Sequence, residues 1–394
     1  MRAVIENGIR LAGTIQAPPS KSEAIRAALL IFLSGGDPSE ALKGFEGRPV
    51  CDDIKAALSV CRSLKTGGRL NVGASAALLR MALPVCLALF GEAEIAMDER
   101  LEQRGLHELE ECLDLPLVPE CGLLRVKKRL LPGKYRIDCT RSSQFLSGLL
   151  LALPLLEGES SIEIKGVPVS KGYADMTIAY GSIFGARYSA CLVCEGEDIA
   201  VYPSKYSVPP PPYKSEGGRT FVSGDCSYAA LFGAANHMGG RVKVCGISPR
   251  TLQPDIVFPA VAGYGRIDIS GMPDLLPPLA AVACAQKRET VFTGVSRLAF
   301  KESSRAHSLA ELINSLGGEA EVKGDELQVY GSGSLKGGEC SAAGDHRIAM
   351  AAAVLAGICE SPVELEGAEC VGKSAQDFWN DYKSLGGEYE FVGQ

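Results

Sequence analysis

The sequence has no excess of positive charge. In 394 residues, 40 Lys and Arg stand against 47 Asp and Glu, for a net charge of −7. Nucleic-acid binders that work by neutralising phosphates usually carry a basic excess, so the charge argues against that class. Any anion must meet a local basic pocket rather than a general field. Histidine is scarce, four in all, with no H-E-x-x-H pair, which removes a common zinc-hydrolase signature. No long apolar run is present. The longest, around Phe145–Leu156, is broken by Ser, Gly and Pro and falls short of the roughly 20 residues of a membrane helix. The opening MRAVIENGIRLAG has charges and no apolar leader core, so a cytoplasmic protein is expected. Cysteine is plentiful, at 14, but the single C-x-x-C, Cys191 to Cys194, has no second pair at zinc-ribbon spacing. It reads as strand or turn, and the cysteines as reduced, buried small hydrophobes.

What is present is a folded composition, 46% hydrophobic, in a chain long enough for two or more domains. One pattern recurs six times: a few polar residues, a small apolar helix, a Gly-containing turn and often an alternating strand. The helix starts fall near Ser22, Ser75, Ser143, Ser227, Asp274 and His346. Helices apolar on all sides are predicted to be buried against sheets, and the period is too long and uneven for a solenoid. The stretch SVPPPPYKSEGGRT, Ser207–Thr220, reads as a linker or long loop and splits the repeats three and three. Two similar α/β domains with a cleft between them are expected. The strand-like start, AVIEN then IRLAG, suits either half.

Each helix start offers free N–H groups and a positive dipole end, a ready anion site. Cations at such a start are unfavourable for the helix alone, yet Lys21 and Arg26 flank one beside Ser22. Ser142, Ser143 and Gln144 open another, and Asp345, His346 and Arg347 a third. Ser22 and Arg26 are spaced i,i+4. So are Lys301 and Arg305, with Arg305 at i+3 from Glu302, and the spacing predicts one helix face carrying cation, acid and cation. Taken singly, each serine reads as an N-cap and each charge as a solvated surface pair. Their recurrence at equivalent positions of the repeats points to polyanionic ligands.

These residues resemble the 5-enolpyruvylshikimate-3-phosphate (EPSP) synthase family along nearly the whole chain. SKSEAIRAALL, RSSQFLSGLLLALPLL, GVPVSKGY, MPDLLPPLA, FKESSRAHSLAELINSLGG, GDHRIAMAAAV and ECVGKSAQDF each resemble a family block, in order. The resemblance implies an α/β fold of two similar domains. Each has three βαβαββ-type units with buried parallel helices, an inside-out α/β barrel, with the active site in the interdomain cleft. It implies domains 14–220 and 1–13 plus 221–394, with two crossings, near Leu11–Thr14 and Arg219–Ser223. The implied reaction moves the enolpyruvyl group of phosphoenolpyruvate to the 5-hydroxyl of 3-phosphoshikimate, through a tetrahedral intermediate and with loss of phosphate. No metal, organic cofactor, nucleic acid or membrane is implied, and a monomer is expected.

Carried onto this sequence, the resemblance gives the shikimate phosphate to Ser142, Ser143 and Ser170, with Lys301 helping, and the shikimate carboxylate to Ser22 and Arg26. Tyr173 and Gln144 line the ring. Lys21, Ala76, Arg104, Gln144, Arg305, Arg347 and Lys373 take phosphoenolpyruvate. Asp274, with Lys21 nearby, is the implied base for the 5-hydroxyl, and Glu302 the acid for the enol carbon. Arg80, Asp225 and His346 support, with His346 and Lys373 also assisting phosphate departure.

The sequence departs from the family pattern in GASAALLR. Ala74 stands where a polar residue is common, Ala76 where Gly is usual and Ala77 where Thr is frequent; Arg80 is kept. An added methyl at a close backbone approach narrows the pocket, so poor inhibition by the bulkier analogue glyphosate is expected. Gly105 follows Arg104 where Pro is typical, Ser304 replaces an acid, Ala299 a frequent Arg, and Ala375-Gln376 a common Phe-Pro. Two other readings stay open here, the sister transferase acting on UDP-N-acetylglucosamine and a non-catalytic anion-binding relative; the acidic balance and the absence of a nucleotide motif argue against RNA terminal-phosphate cyclases of related fold.

Overall fold

Parallel strands cannot be joined by a tight turn; they need a crossover of about a dozen residues or more, and the buried helices supply it. The computed structural model describes residues 1–193, 202–209, 213–214 and 222–393. In it, helix Ala76–Leu89 joins the parallel pair Leu70–Asn71 and Glu92–Ala96. Helix Gln144–Ala152 joins Lys134–Asp138 and Ser160–Lys165. Leu276–Ala285 joins Arg266–Asp268 and Glu289–Thr293, and His346–Leu355 joins Gly338–Ser341 and Val363–Glu366. After helix Cys226–His237, strand Arg241–Cys245 pairs in parallel with the N-terminal strand Ala12–Gln16. That strand therefore serves as the missing leading strand of the fourth repeat. Strand Arg2–Ile5 is antiparallel to both Val363–Glu366 and Tyr389–Val392.

The chain divides into two units: Met1–Ser20 with Gly47–Asp52 and Ser223–Gln394, and Lys21–Glu46 with Asp53–Val222. Each has its own core, in which the all-apolar helices are central; all ten residues of His346–Leu355 are buried. The strands bury one face, as in the alternation of Glu289–Thr293. No sheet closes on itself among the described residues; the inside-out description holds in the sense of helices within and strands without. No described helix is long and apolar enough to cross a membrane.

The unit boundaries differ from the expected 14–220 division. Ladder pairing holds Ala12–Gln16 in the first unit, so the change comes at Ser20, after Leu11–Thr14. Segment Gly47–Asp52 also returns to that unit, so the chain passes between units four times rather than twice. Arg48 fixes this segment through Asp381 at 3.0 Å, and Asp381 also accepts from the Tyr228 hydroxyl at 2.6 Å.

The proline-rich stretch needs correction. Ser207 and Val208 end strand Tyr202–Val208, and Tyr213 is buried, its hydroxyl donating to the Leu151 carbonyl at 2.9 Å. A buried aromatic anchor rules out a free linker at those positions. Residues 210–212 and 215–221 lie outside the described residues, as does Cys194. The repeats are also unequal. Where the fifth has helix Arg305–Ser315 and hairpin strands Glu319–Lys323 and Glu326–Tyr330, the fourth has only the short helical turns Pro254–Val257 and Phe258–Val261 before Arg266–Asp268.

One local device fixes the second and third helices against each other. Pro84 sits inside helix Ala76–Leu89 and has no N–H to give the Arg80 carbonyl. Gly148 packs there so closely that a Cβ would lie 2.2 Å from Arg80 O and 3.1 Å from Pro84 Cγ.

Candidate active site

In each unit the buried helices follow parallel strands, so their N-termini lie beyond the carboxyl ends of those strands, where open α/β sheets place ligands. Capping side chains settle those starts. Asp345 accepts from Arg347 N at 2.9 Å and Asp225 from Tyr228 N at 2.9 Å. The fourth start, expected near Ser227, falls at Cys226 with Asp225 as its cap. Ser75 caps the second helix through Leu78 N at 3.5 Å.

In the first unit, the Arg305 guanidinium is the centre of a charged group. It is 1% exposed and donates to Asp274 Oδ1 at 2.7 Å, Glu302 Oε2 at 2.7 Å and Asp345 Oδ2 at 2.8 Å. Arg347 reaches Asp274 Oδ2 at 3.0 Å, Lys301 reaches Asp274 Oδ1 at 3.6 Å and Lys373 reaches Glu302 Oε1 at 3.2 Å. Four cations thus share three carboxylates. The shared face expected for Lys301, Glu302 and Arg305 does not form by helical spacing. Lys301 is extended, with φ −83° and ψ −160°, and the helix begins only at Arg305. A turn brings the three together instead.

The protonation states follow from burial and neighbours. Burial works against the charge of Arg305, but Asp345, Glu302 and Asp274 outweigh it and hold the group above its ordinary range. Burial opposes the charge of Arg347 too, and Asp274 more than restores it. Lys301 is lowered to about 8, first by desolvation, then by Arg305, against the opposing pull of Asp274. Behind them Asp255, which accepts from the Ser227 hydroxyl, is pushed up to about 6 by burial and by Asp274. His346 is buried beside Asp345, its Nδ1 3.9 Å from Oδ1.

In the second unit, Lys21 opens helix Lys21–Leu33 and pairs with Asp53 Oδ2 at 3.1 Å. Arg26 is nearly fully buried. It donates to Thr177 Oγ1 at 2.7 Å, Ser22 O at 2.7 Å, Tyr173 O at 3.0 Å and Ser147 Oγ at 3.1 Å; burial lowers it to about 10. The i,i+4 relation of Ser22 and Arg26 is thus realised through the Ser22 carbonyl. Ser143 donates to the carbonyl of Ser170, a residue in the left-handed region at φ 52°, at 3.0 Å. The Gln144 amide donates to Ser142 Oγ at 3.2 Å, while Gln144 Oε1 accepts from Arg80 Nη1 at 2.8 Å. Arg80 also lies over the Phe145 ring at 4.6 Å. Ala76 is the first residue of its helix and buried; Tyr173 is half-buried. Arg104 is half-buried with its Nε enclosed, and Gly105 after it has φ +65°. Proline cannot adopt that angle, so the Arg104-Gly105 departure is a real change of backbone.

The chain matches the family model described as EPSP synthase (3-phosphoshikimate 1-carboxyvinyltransferase) over residues 69–265 and 260–382. It is 30% identical over 442 residues to the 3-phosphoshikimate 1-carboxyvinyltransferase of Clostridium kluyveri, covering 99% of each chain. The chain belongs to the EPSP synthase family. The enzyme of the same description from Clostridium acetobutylicum is 31% identical over 438 residues, covering 98% of each. The fold matches the solved EPSP synthase from Acinetobacter baumannii with a TM-score of 0.71 at 20% identity, covering 100% of both chains. These relatives favour the phosphoshikimate reading over the nucleotide-sugar one.

Reading the sequence missed three acids, Asp53, Asp255 and Glu108, and one cation, Arg141; it singled out Asp345 at its helix start but not its pairing with Arg305. Asp53 pairs with Lys21, Asp345 with Arg305, and Asp255 lies behind Asp274. Glu108 pairs with Arg141 at 3.6 Å. The doubled acid of CDD ahead of an apolar-periodic helix was the available signal for Asp53; nothing local marks the others.

Proposed function

We propose that the chain transfers the enolpyruvyl group of phosphoenolpyruvate to the 5-hydroxyl of 3-phosphoshikimate, releasing phosphate. The observation that carries this reading is the Arg305 group, in which two carboxylates suited to proton transfer are held by the same cations that suit a substrate carboxylate. An anion arriving at Arg305, Arg347 and Lys373 exchanges partners with Asp274 and Glu302 and frees them for chemistry. Charge-assisted hydrogen bonds of this kind are worth about 1.5–3 kcal/mol each.

In the forward step Asp274 accepts the proton of the 5-hydroxyl as its oxygen bonds to C2 of phosphoenolpyruvate. Glu302 delivers a proton to the methylene carbon, giving a tetrahedral intermediate. Glu302 then takes a proton back from the resulting methyl group as the C2–O bond to phosphate breaks, and Lys373 and His346 assist that departure. Ser142, Ser143, Ser170 and Lys301 hold the shikimate phosphate, and Ser22 and Arg26 the shikimate carboxylate. Tyr173 lines the ring. Lys21, Ala76, Arg104 and Gln144 face the phosphate of phosphoenolpyruvate. Arg80 and Asp225 support, the first by holding Gln144 and the second by capping its helix. Twelve described cysteines are free thiols, which supports a reducing, cytoplasmic setting; the monomer is proposed from the family resemblance alone.

The test is product identification by mass spectrometry after incubation with both substrates. Phosphoshikimate gaining one enolpyruvyl group supports the reading; an enolpyruvyl adduct formed only with UDP-N-acetylglucosamine would overturn it.

A further inference from the structure

Lys21 and Asp53 form an ion pair at a particular place in the chain. Lys21 is the first residue of the second unit after the crossing at Ser20, and Asp53 is the first after the crossing at Asp52. Their side chains meet at 3.1 Å, Nζ to Oδ2. The backbone is pinned just ahead of each. Before Lys21, Ser20 N donates to Ser223 O at 2.8 Å, and the Pro18 carbonyl accepts from Asp225 N at 2.9 Å. Before Asp53, Arg48 holds Asp381 at 3.0 Å, and Gln376 Nε2 donates to Asp52 Oδ1 at 2.8 Å.

The helix that carries Asp53 does not account for its burial. On Asp52–Thr66 the buried residues are Asp53, Ile54, Ala57, Val60, Cys61 and Leu64. Asp53 thus takes a place on the apolar face, where helical periodicity calls for an aliphatic side chain. A charge buried there is unfavourable unless it is paired. The helix dipole favours an acid in the first turn, but Asp52 supplies one from the solvent side. The Asp53 carboxylate therefore serves its partner rather than its helix. The lysine ammonium sits on a flexible four-carbon stem, and a misplacement of about 1 Å at a reacting group costs about a hundredfold in rate.

We propose that Asp53 is a positioning residue for Lys21, its carboxylate holding the ammonium in the place from which it serves the bound substrates. The inference rests on the activity proposed above. The pinned segments ahead of both residues fix the two backbones, so the 3.1 Å contact sets where Nζ points. An ammonium has three donors, and an arriving phosphate shares it with Asp53. Affinity then depends little on Asp53, while the rate of the chemical step depends on it strongly.

The experiment compares Asp53→Asn and Asp53→Glu with the unaltered protein by steady-state kinetics and locates Lys21 Nζ in crystal structures of all three. Asp53→Asn keeps the size of the side chain and a hydrogen-bond acceptor but not the charge. Its kcat is expected to fall about ten- to a hundredfold, the scale of an ångström-sized misplacement, with KM for both substrates changed less than about threefold. Asp53→Glu, whose carboxylate still reaches the ammonium, should recover part of kcat. Nζ should leave its place in Asp53→Asn and lie nearer to it in Asp53→Glu. An unchanged kcat, a rise in KM with kcat preserved, or a lower melting temperature with both constants intact overturns the inference and leaves the activity standing. Absence of enolpyruvyl transfer from all three proteins overturns the activity instead. The crystal structures then decide the inference, which a displaced Nζ in Asp53→Asn supports and an unmoved one overturns.

Discussion

Arg305 donates from Nη1 to Asp274 Oδ1 at 2.7 Å. The relationship joins a side chain from the start of a surface helix to one from the turn before a buried helix, and it ties a cation suited to substrate binding to a carboxylate suited to proton abstraction. Arg305 is 1% exposed and holds Glu302 and Asp345 as well. Removing one partner of a buried pair leaves uncompensated charge at a cost of about 3–5 kcal/mol. Arg305→Ala is therefore expected to lose stability on that scale in chemical denaturation, as well as activity; a variant with full stability would show that the acids are solvated.

Glu302→Gln keeps an oxygen to accept from Arg305 Nη2, now at 2.7 Å, but cannot carry the proton. Binding of both substrates should stay nearly intact while turnover falls by about a thousandfold or more, the scale of general acid–base catalysis. Calorimetry with single-turnover kinetics separates the two. Loss of binding with turnover preserved at saturation would assign Glu302 to positioning alone.

Lys301 gives a pH signature. Its folded value is lowered to about 8 from 10.5, chiefly by desolvation. Between about pH 8 and 10.5 the unfolded chain binds more protons at this group, so its contribution to stability rises with pH across that window. Phosphate binding has the opposite trend, because the ammonium is lost as pH passes about 8. A fall in kcat/KM for phosphoshikimate above about pH 8 is expected, and Lys301→Arg should abolish that limb, since arginine stays charged.

Ala76 is buried at the first turn of its helix, behind the Ser75 cap. Weak inhibition by glyphosate is the expected outcome, and Ala76→Gly should sensitise the enzyme by about tenfold or more, the range for methyl-sized changes in a tight pocket. Inhibition curves of the two proteins test this; equal sensitivity would show that the Ala76 methyl does not face the analogue.

Gly148→Ala places a methyl 2.2 Å from the Arg80 carbonyl. Backbone must shift, at a cost of about 1–3 kcal/mol or more, and Arg80 moves with it. Thermal unfolding should show the loss, and KM for phosphoenolpyruvate should rise through the displaced Arg80–Gln144 contact.

The helix starts and the polar residues on them were legible because burial on all sides leaves an unmistakable apolar pattern, and because SKSEAIR and KESSR place chemistry-bearing residues at fixed offsets. Long-range partners were not. Asp345 pairs with Arg305 across 40 positions, and Glu108 with Arg141 across the second and third repeats; no local period encodes such pairs. The Lys301–Arg305 spacing misled for a physical reason: an i,i+4 offset implies a shared face only inside a helix, and the chain is extended at Lys301. The abbreviated fourth repeat was equally hidden, since Ala12–Gln16, far away in sequence, supplies its leading strand.

Phosphate release from purified protein, with phosphoenolpyruvate and 3-phosphoshikimate each omitted in turn, tests the central claim most directly. The account predicts stoichiometric release that requires both substrates and disappears in Glu302→Gln. Release from phosphoenolpyruvate alone, or none from a folded protein that binds both substrates, would contradict it.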